Sequence, residues 1–417
     1  MKIGIICEYN PFHNGHIYHI NKIKELYPDS TIVLVVDSYF TERGDISVLD
    51  KFAKTEIALA NNVDLVVELP FVFATQSADI FAKGAISILN KLNVDLVVFG
   101  SESNDIEGLK KAAAIQINNN SYDSLVKSYL QSGSNYPTAL AKALDYFNQD
   151  KFDTPNDLLG ISYIKAIMVT NSKIKPLTIQ RTNNYHDLTL TNISSASAIR
   201  NAINDKNDIS NSVPSITKNF IRYVDEKKWF NYLKFKIISD LDYLNQYQTV
   251  DEGIENRIKK FIYDSNSLEE LILNVKSKRF TYSKIKRMFT HILCGFKKED
   301  AKDLKIEYIR VLGFNKSGQK VLNSVKKNLD VPIYFNYKEG LNKYFDLEFK
   351  TSVIYSLIVS DQSIVKKEFK AFPIKKWYLL SFFLTIRTII GSSSTYFYFY
   401  NFSLTHFTRF IFSLMDI

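Results

Sequence analysis

The sequence predicts an α/β protein, with a doubly wound, Rossmann-like parallel sheet in residues 1–210 and a mostly α-helical region in residues 211–370. Two observations lead to this prediction. Short apolar, β-branched runs alternate with helical patterns from residue 3 to residue 99, which is typical of a parallel sheet whose strands are joined by helices. Beyond about Asn211 the alternation ends, and helical patterns with tyrosine and phenylalanine among the lysines continue to Lys327.

The elements of the predicted sheet follow one another along the chain. Buried strands are expected at residues 3–7, 30–36, 63–69, 94–99 and 175–181, with helical patterns after Gly15 and at residues 49–59 and 78–91. A further helix is expected to begin at Ser194 or Ser195, because serine is a favoured N-cap. Ligands of such sheets bind beyond the carboxyl ends of the strands, so a site is expected at residues 8–16, 37–45, 70 and 100–102.

The first strand leads through a turn into a helix that carries three histidines. His13, His16 and His19 follow at intervals of three, and the first two share one face of the first helical turn. Free backbone N–H groups and the helix dipole favour an anion there, so the pattern predicts a phosphate-binding site. Two imidazoles can also neutralise charge that builds on a phosphate during adenylyl transfer, which makes His13 and His16 the candidate catalytic residues.

Two other interpretations of the histidines are open. They are either ordinary polar residues of a loop or ligands of a zinc ion. No acidic or cysteine ligand falls at helical spacing beside them, so the zinc interpretation lacks the rest of a ligand set, and no metal site is predicted.

Composition limits where the protein works. The chain contains two cysteines, Cys7 and Cys294, far apart in sequence, so neither a disulfide framework nor a CxxC metal site is available. The N-terminus lacks the charged start, apolar run and cleavage site of a signal peptide. A cytoplasmic location is therefore expected.

Positive charge is concentrated in one segment. The formal net charge of the chain is +9, and residues 271–330 contain 15 Lys and Arg against 5 Asp and Glu. Aromatic residues lie among these cations, which suits phosphate contacts combined with stacking on unpaired bases, although a solvated helical surface is the alternative. The candidate RNA-binding residues are Lys278, Arg279, Lys284, Lys286, Arg287 and Arg310.

Several motifs resemble those of known families. The HNGH string after a first strand, with the ISSxxxIR-type element at residues 193–200, resembles the nucleotidylyltransferase superfamily. The string EYNPFHNGHIYH at residues 8–19, with RGD, ELPF, FGSE, PNDLLG and YHD further on, resembles the bacterial tRNA(Met) cytidine acetate ligase family. The resemblance extends from residue 1 to about residue 370 and includes KRFTYSKIKRMFTHIL and YIRVLG.

The resemblance implies a two-step reaction. ATP would activate acetate as acetyl-adenylate with release of pyrophosphate, and the acetyl group would pass to the wobble cytidine of elongator tRNA(Met), giving N4-acetylcytidine. Mg²⁺ is expected with the triphosphate, without a nameable protein ligand. Glu8, His186 and Asp187 are candidates by position for the base of the transfer step.

The resemblance also implies the nucleotide-binding residues. By motif, the ATP site would comprise Ile6, Cys7, Glu8, Tyr9, Asn10, Pro11, Phe12, His13, Asn14, Gly15, His16, Ile17, Tyr18, His19, Gly100, Asn156, Arg181 and Thr182. By analogy with the second signature of the superfamily, Ser195 and Arg200 would bind the β- and γ-phosphates. Two other functions stay open: a small-molecule adenylyltransferase of cofactor biosynthesis, and a tRNA-binding protein without catalysis.

Two regions depart from the family. The family usually has Ser-Gly shortly before its Arg-Gly, whereas residues 37–40 read DSYF, and the missing glycine is expected to narrow the nucleotide pocket. Residues 371–417 form an apolar, aromatic tail with a charge-free stretch at 388–408, the length of a membrane span. Polar residues within that stretch favour a divergent end of the chain over a membrane anchor, so no membrane is expected as a partner. No obligate protein partner is expected either.

Overall fold

The computed structural model describes residues 1–147, 152–181, 191–370 and 373–376. The described residues of Met1–Lys376 form one compact unit. The apolar tail, except for residues 373–376, lies outside the described residues, and so do the predicted site residues Thr182, His186 and Asp187. The domain boundaries expected at residues 210 and 370 stay predictions.

A mixed, mostly parallel sheet forms the centre of this unit. Its strands are β1 (Lys2–Cys7), β2 (Thr31–Val36), β3 (Leu65–Glu68), β4 (Leu96–Ser101), β5 (Lys175–Gln180), β6 (Ile309–Asn315), β7 (Ile333–Tyr334) and β8 (Ile374–Lys376). The order is β5-β4-β1-β2-β3-β6-β7, with β8 also paired to β6. The first five strands are parallel, which confirms the doubly wound sheet expected from the sequence.

Helices connect and cover these strands. The N-terminal part contains α1 (Asn14–Leu26), α2 (Lys51–Ala60), α3 (Phe71–Ala74), α4 (Ala78–Lys91), α5 (Ile106–Asn118), α6 (Asn120–Gln131), α7 (Tyr136–Phe147), α8 (Pro155–Val169) and α9 (Ala196–Asn204). The C-terminal part contains α10 (Ser215–Lys218), α11 (Glu226–Ser239), a 3₁₀ turn (Leu241–Gln246), α12 (Ile254–Phe261), α13 (Leu268–Val275), α14 (Tyr282–Cys294), α15 (Lys316–Val325), α16 (Lys343–Ile358) and α17 (Ser363–Lys370).

One strand lies where the sequence predicted helix. Strand β6 falls inside the region expected to be helical, and it pairs antiparallel with β3. All seven of its residues are buried, because β3 pairs with one of its edges, β7 and β8 pair with the other, and helices α2 and α15 pack against the strand. The C-terminal region is therefore mostly helical, as predicted, but it also extends the sheet.

The register of the sheet brings the predicted site segments together. Cys7 of β1 lies opposite Val36 of β2, and Ser101 of β4 lies opposite Gln180 of β5. Because these strands are parallel and in register, the residues that follow them emerge at one edge of the sheet. That edge is where the candidate site forms.

A buried ion network joins β6 and α17 to the rest of the sheet. The Lys51 ammonium lies 2.6 Å from Glu68 Oε2 and 2.8 Å from Glu368 Oε1. The Arg310 guanidinium lies 2.5 Å from the other oxygen of Glu368, and its side chain is only 1% exposed. The prediction that Arg310 binds RNA is therefore wrong, because the charge of Arg310 is paired with carboxylates in the interior.

The DSYF segment belongs to the same interior. Tyr39 donates a hydrogen bond to Glu368 at 2.5 Å and packs on Tyr355, with ring centroids 4.8 Å apart. Asp37 is paired with the buried Lys54 at 2.7 Å. None of the four side chains lines the nucleotide-sized cavity described below, so the expected narrowing of that pocket by residues 37–40 does not occur.

Candidate active site

Two histidines build the start of helix α1. His13 is the N-cap, and its Nδ1 accepts a hydrogen bond from the backbone N–H of Gly15 at 3.1 Å. His16 reaches back, and its Nδ1 accepts from the backbone N–H of His13 at 3.1 Å. The imidazoles stack with ring centroids 3.8 Å apart. The HNGH string thus forms a capping box in which histidines replace the usual serine and glutamate.

This capping arrangement fixes the proton positions. A ring nitrogen that accepts a hydrogen bond carries no proton, so in each neutral imidazole the proton resides on Nε2. Both histidines therefore offer an Nε2–H donor beside the free N–H groups of the helix terminus. A donor pair at a helix N-terminus suits an anionic oxygen.

The surroundings keep the histidines neutral while no anion is bound. Burial, with the positive charges of Arg181 and Arg200, lowers the pKa of His13 to about 3. Burial and the neighbouring imidazoles hold the pKa of His16 well below its usual value. Burial and Arg181 lower the pKa of His19 to about 4. An entering polyanion would offset the arginine charges and so favour protonation of these histidines.

A cavity of about 350 Å³ opens beside these histidines. Arg181, just beyond β5, and Arg200, on α9, line it together with the histidines. Arg200 donates to the backbone oxygen of Asn10 at 2.8 Å and to Ser197 Oγ at 3.1 Å. These bonds place a fixed positive charge next to the turn that precedes α1.

Helix α9 begins where the sequence predicted. Ser195 is its N-cap and accepts from the N–H of Ala198 at 3.1 Å. The alternative, Ser194, instead hydrogen-bonds the backbone oxygen of Thr191. Asn14 connects this region to α1, because its amide donates to the backbone oxygens of Asn192 and Asn211 at 2.8 and 2.9 Å. The ISSxxxIR-type element is thereby held next to the HNGH motif.

The FGSE and PNDLLG motifs interlock on the opposite wall. Glu102 accepts hydrogen bonds from the side chain of Asn156 and from the N–H of Asp157. Asp157 accepts in return from Ser101 Oγ at 2.5 Å and from the N–H of Glu102 at 3.2 Å. Glu102 Oε1 also lies 3.8 Å from Arg181 Nε. Glu102 lies in the range 100–102 where a site was expected, although it was not among the predicted nucleotide-binding residues. It orients both Asn156 and Arg181.

Gly100 is a predicted site residue at which a side chain would crowd Arg181. A Cβ at this position would lie 3.2 Å from Cγ of Arg181, tighter than an ordinary contact. Any side chain would displace the arginine or enter the cavity, as expected for a glycine beside a ligand.

Most predicted nucleotide-binding residues line this cavity. They are Ile6, Cys7, Glu8, Tyr9, Asn10, His13, Gly15, His16, Tyr18, His19, Gly100, Asn156, Arg181, Ser195 and Arg200. Four others do not line it: Pro11, Phe12, Asn14 and Ile17. Phe12 is fully buried in the core beside the sheet, and Ile17 packs against the same core. These four hold the turn and the helix in place.

Two parts of the wall were not among the predicted nucleotide-binding residues. One is an apolar side formed by Ala78, Phe81, Phe99, Leu158, Leu159 and Tyr163. The other is the loop that contains Glu42, Arg43 and Asp45. Phe99, Leu158 and Leu159 lie in the FGSE and PNDLLG motifs of the family resemblance, and the loop lies in the range 37–45 where a site was expected. Neither signal shows which side chains face a ligand.

The loop of residues 42–45 connects the cavity to helix α14. Glu8 Oε1 accepts from the N–H of Glu42 at 2.7 Å. Arg287 of α14 donates to the carboxylate of Glu42 at 2.6 Å, and Lys286 forms an ion pair with Asp45. Thr290 donates to the backbone oxygen of Gly44 at 2.9 Å. The basic helix therefore packs directly on a wall of the cavity.

The other predicted RNA-binding residues differ in accessibility. The side chains of Lys286 and Arg287 are 17% and 13% exposed, because they hold the loop. Lys284 lies over the ring of Phe280, with its Nζ 4.0 Å from the centroid. Arg279 is exposed but pairs with Glu252 at 3.2 Å, whereas Lys278 is exposed without an ion pair to any described residue.

Residues 1–147, 152–181, 191–370 and 373–376 contain neither a cluster of metal ligands nor a membrane-spanning helix. Within these ranges no three His, Cys, Asp or Glu residues cluster in a way that could hold a metal ion. In the same ranges, no helix combines the length and the apolar character needed to cross a membrane.

Three features together define a nucleotidyl transferase: the parallel sheet, the histidine capping box at the start of α1, and helix α9 with Arg200. Residues 1–370 match a family model described as HIGH Nucleotidyl Transferase. The class predicted from the HNGH motif is confirmed.

Individual relatives narrow the class. The chain is 39% identical over 390 residues to the tRNA(Met) cytidine acetate ligase of Caldicellulosiruptor saccharolyticus, a match that covers 89% of this chain and 98% of the relative. It is 36% identical to the protein of that name from Bacillus subtilis, covering 86% and 92% of the two chains. The chain therefore belongs to the family of tRNA(Met) cytidine acetate ligases.

Solved structures agree with this assignment. The apo crystal structure of Thermotoga maritima TmcAL matches with a TM-score of 0.83 at 32% identity, covering 90% of this chain and 99% of that one. The crystal structure of the same protein bound with alpha-thio ATP matches with a TM-score of 0.81, also at 32% identity and with the same coverage.

Proposed function

We propose that this chain uses ATP to join acetate to the wobble cytidine of elongator tRNA(Met). A carboxylate oxygen of acetate attacks the α-phosphorus of ATP, pyrophosphate leaves, and acetyl-adenylate remains. The exocyclic amine of cytidine then attacks the acetyl carbon, AMP leaves and the amine gives up one proton, which yields N4-acetylcytidine. The observation that carries the proposal is the pair of Nε2–H donors from His13 and His16 beside two arginines, in a chain of this ligase family.

The first step needs charge stabilisation more than covalent chemistry. Negative charge grows on the α-phosphate oxygens and on the leaving pyrophosphate as the new bond forms. The neutral imidazoles of His13 and His16 supply hydrogen-bond donors that need no reorganisation, because the capping box already holds them. Arg181 and Arg200 supply fixed positive charge for the phosphates. Asn156, held by Glu102, suits a contact with adenine or ribose.

The transfer step needs a group that accepts a proton from the cytidine amine. Of the three candidates from sequence, Glu8 is the one within the described residues, and it lines the cavity. Burial and the charge of Glu42 raise the pKa of Glu8, partly offset by its hydrogen bond from the Glu42 N–H. A carboxylate with a raised pKa is a better base near neutral pH, so we assign this role to Glu8.

Magnesium would be held mainly by the nucleotide. No cluster of three or more carboxylate, cysteine or histidine ligands is found in the described part of the chain. We therefore expect the phosphate oxygens and water to supply most ligands of a Mg²⁺ ion bound with ATP.

The test is acetate-dependent release of pyrophosphate from ATP by the purified protein, with and without elongator tRNA(Met), followed by mass analysis of the tRNA nucleosides. Pyrophosphate release that needs acetate, together with acetylcytidine in the tRNA, is expected. A tRNA whose wobble base is not cytidine is the matched control and should gain no acetyl group. Pyrophosphate release that does not depend on acetate would contradict the proposal, as would tRNA binding without acetylation.

The role of Glu8 is tested by Glu8→Gln, which keeps the acceptor for the Glu42 N–H but removes the titrating group. Formation of acetyl-adenylate should persist while transfer to tRNA slows. Equal loss of both steps would show that Glu8 is not specific to proton transfer.

A further inference from the structure

A groove of about 570 Å³ lies between the turn that joins α6 to α7 and the start of α14. One wall comes from Gly133, Ser134, Asn135 and Thr138, and the other from Lys276, Ser277, Lys278, Thr281, Tyr282 and Ser283. The first wall belongs to the N-terminal part of the chain, which sequence analysis did not connect with RNA.

The side chains of this groove have the chemistry of a nucleic-acid backbone site. Lys276 and Lys278 are exposed and form no ion pair with a described residue, unlike Arg279, Lys286 and Arg287. The described lining contains hydroxyl and amide groups but no Asp or Glu. Two uncompensated ammonium groups among neutral hydrogen-bonding side chains suit phosphate and ribose oxygens.

An aromatic ring completes the groove. Tyr282 lines it at the first turn of α14, and its hydroxyl donates to Glu269, which fixes the ring. A ring held in this way can stack on an unpaired base, as is common where single-stranded RNA is bound.

The groove leads toward the cavity of the active site. Tyr282 and Lys286 lie one turn apart on α14, about 6 Å along the helix axis. The Lys286 ammonium lies 5.9 Å from the centroid of the Tyr282 ring, and it pairs with Asp45, which lines the cavity. The groove therefore lies close to the loop of residues 42–45, which forms part of the wall of the active-site cavity.

We propose that this groove binds the sugar–phosphate backbone of the single-stranded RNA next to the acceptor nucleotide, with the α6–α7 turn as one of its walls. The inference rests on the function proposed above, because it concerns the RNA that this reaction modifies. It adds a contact surface from outside the basic segment.

The test compares a glutamate introduced into the groove with a glutamate introduced outside it. Ser134→Glu puts a carboxylate into the groove from the α6–α7 wall. Ser128→Glu puts the same charge on an exposed position of α6 that does not line the groove, and it is the matched control. Elongator tRNA(Met) binding is measured by a direct binding assay, and acetate-dependent pyrophosphate release is measured without tRNA.

We expect Ser134→Glu to weaken tRNA binding at least tenfold, Ser128→Glu to leave binding unchanged, and pyrophosphate release without tRNA to be normal in both. The double substitution Lys276→Ala with Lys278→Ala should reduce the slope of log affinity against log salt by about 1.4, because each phosphate contact on a single strand contributes about 0.7.

Equal tRNA binding by the two glutamate variants, or an unchanged salt slope in the lysine variant, would contradict RNA binding in this groove. Neither result would contradict the proposed function. A wild-type protein that neither binds nor acetylates tRNA would overturn both.

Discussion

At the scale of single residues, one pair of histidines combines structure and chemistry. His13 and His16 use Nδ1 to satisfy backbone N–H groups of α1, which leaves Nε2–H for a ligand. Each imidazole therefore has one nitrogen for the fold and one for the site. Because the two tasks fall on different atoms, substitution can separate them.

His13→Asn should separate them cleanly. Asparagine is among the best N-caps, so its side-chain oxygen can replace Nδ1 and the free energy of unfolding should change by less than about 0.5 kcal/mol. The lost Nε2–H donor should lower kcat for acetyl-adenylate formation roughly a hundredfold to a thousandfold. Thermal unfolding and pyrophosphate release are the two measurements. Full activity in a stable Asn variant would show that this donor does not act in the reaction.

Arg310 shows that a basic residue in a basic segment need not lie on the protein surface. Its guanidinium lies 2.5 Å from Glu368 and 3.4 Å from Glu68, inside the protein. Arg310→Ala would leave both carboxylates with less compensation, and removal of one partner from a buried pair costs about 3–5 kcal/mol. Chemical denaturation measures this cost. Lys278→Ala is the control, and it should leave the free energy of unfolding unchanged because Lys278 is exposed.

At the scale of elements, the loop of residues 42–45 depends on its contact with α14. Gly44 has φ +78° and packs so closely that a Cβ would lie 2.5 Å from Cα of Arg287. The side chains on either side of it, Arg43 and Asp45, line the cavity. A close backbone approach therefore ties the basic helix to the wall of the active site.

Gly44→Ala should disrupt that approach. The left-handed backbone alone costs a non-glycine residue about 1–2 kcal/mol, and the clash should add about 1–3 kcal/mol. Gly133→Ala is the matched control, because Gly133 also has positive φ, +92°, but a Cβ there meets nothing within 4 Å. The difference in unfolding free energy between the two variants measures the clash. Equal losses would show that the contact can relax without cost.

At the scale of the whole molecule, a buried charge network joins the parallel sheet to the C-terminal helices. Glu348 of α16 belongs to it, lies 3.8 Å from Lys51 and accepts from the N–H of Phe71 at 2.7 Å. Burial, followed by the charge of Glu68, raises the pKa of Glu348 to about 7. Ionisation of this carboxyl is therefore harder in the folded protein than in the unfolded chain.

The raised pKa predicts a pH dependence of stability. A carboxyl with a raised folded pKa stabilises the protein fully below its unfolded value, near pH 4.5, and this contribution is lost as pH rises through about 7. Glu348→Gln removes the titration, so its stability relative to wild type should increase from pH 5 to pH 7.5, by about 3 kcal/mol at most. Denaturation of both proteins across this range provides the measurement. A constant difference between them would show that Glu348 does not titrate in this window.

Much of the architecture could be predicted because local patterns specify it. The β-branched runs of β1 to β5 alternate with amphipathic helices, and a serine before Arg200 caps α9 as expected. Strand β6 was missed because its buried neighbours on both sides come from distant parts of the chain. A short apolar run does not by itself distinguish a buried strand from a helix.

The sequence by itself determined the class of sheet, the histidine motif at its first turn and the family, because these depend on spacing along the chain. Only the tertiary structure decided that Arg310 is buried, that Phe12 belongs to the core, that Glu102 orients Asn156 and Arg181, and that the α6–α7 turn faces the start of α14. The contacts behind them join distant residues: Glu102 and Asn156 are 54 positions apart, and Glu68 and Arg310 are 242 positions apart. The physical reason is that charge and polarity are properties of a residue, whereas burial and pairing are properties of the place where the fold puts it.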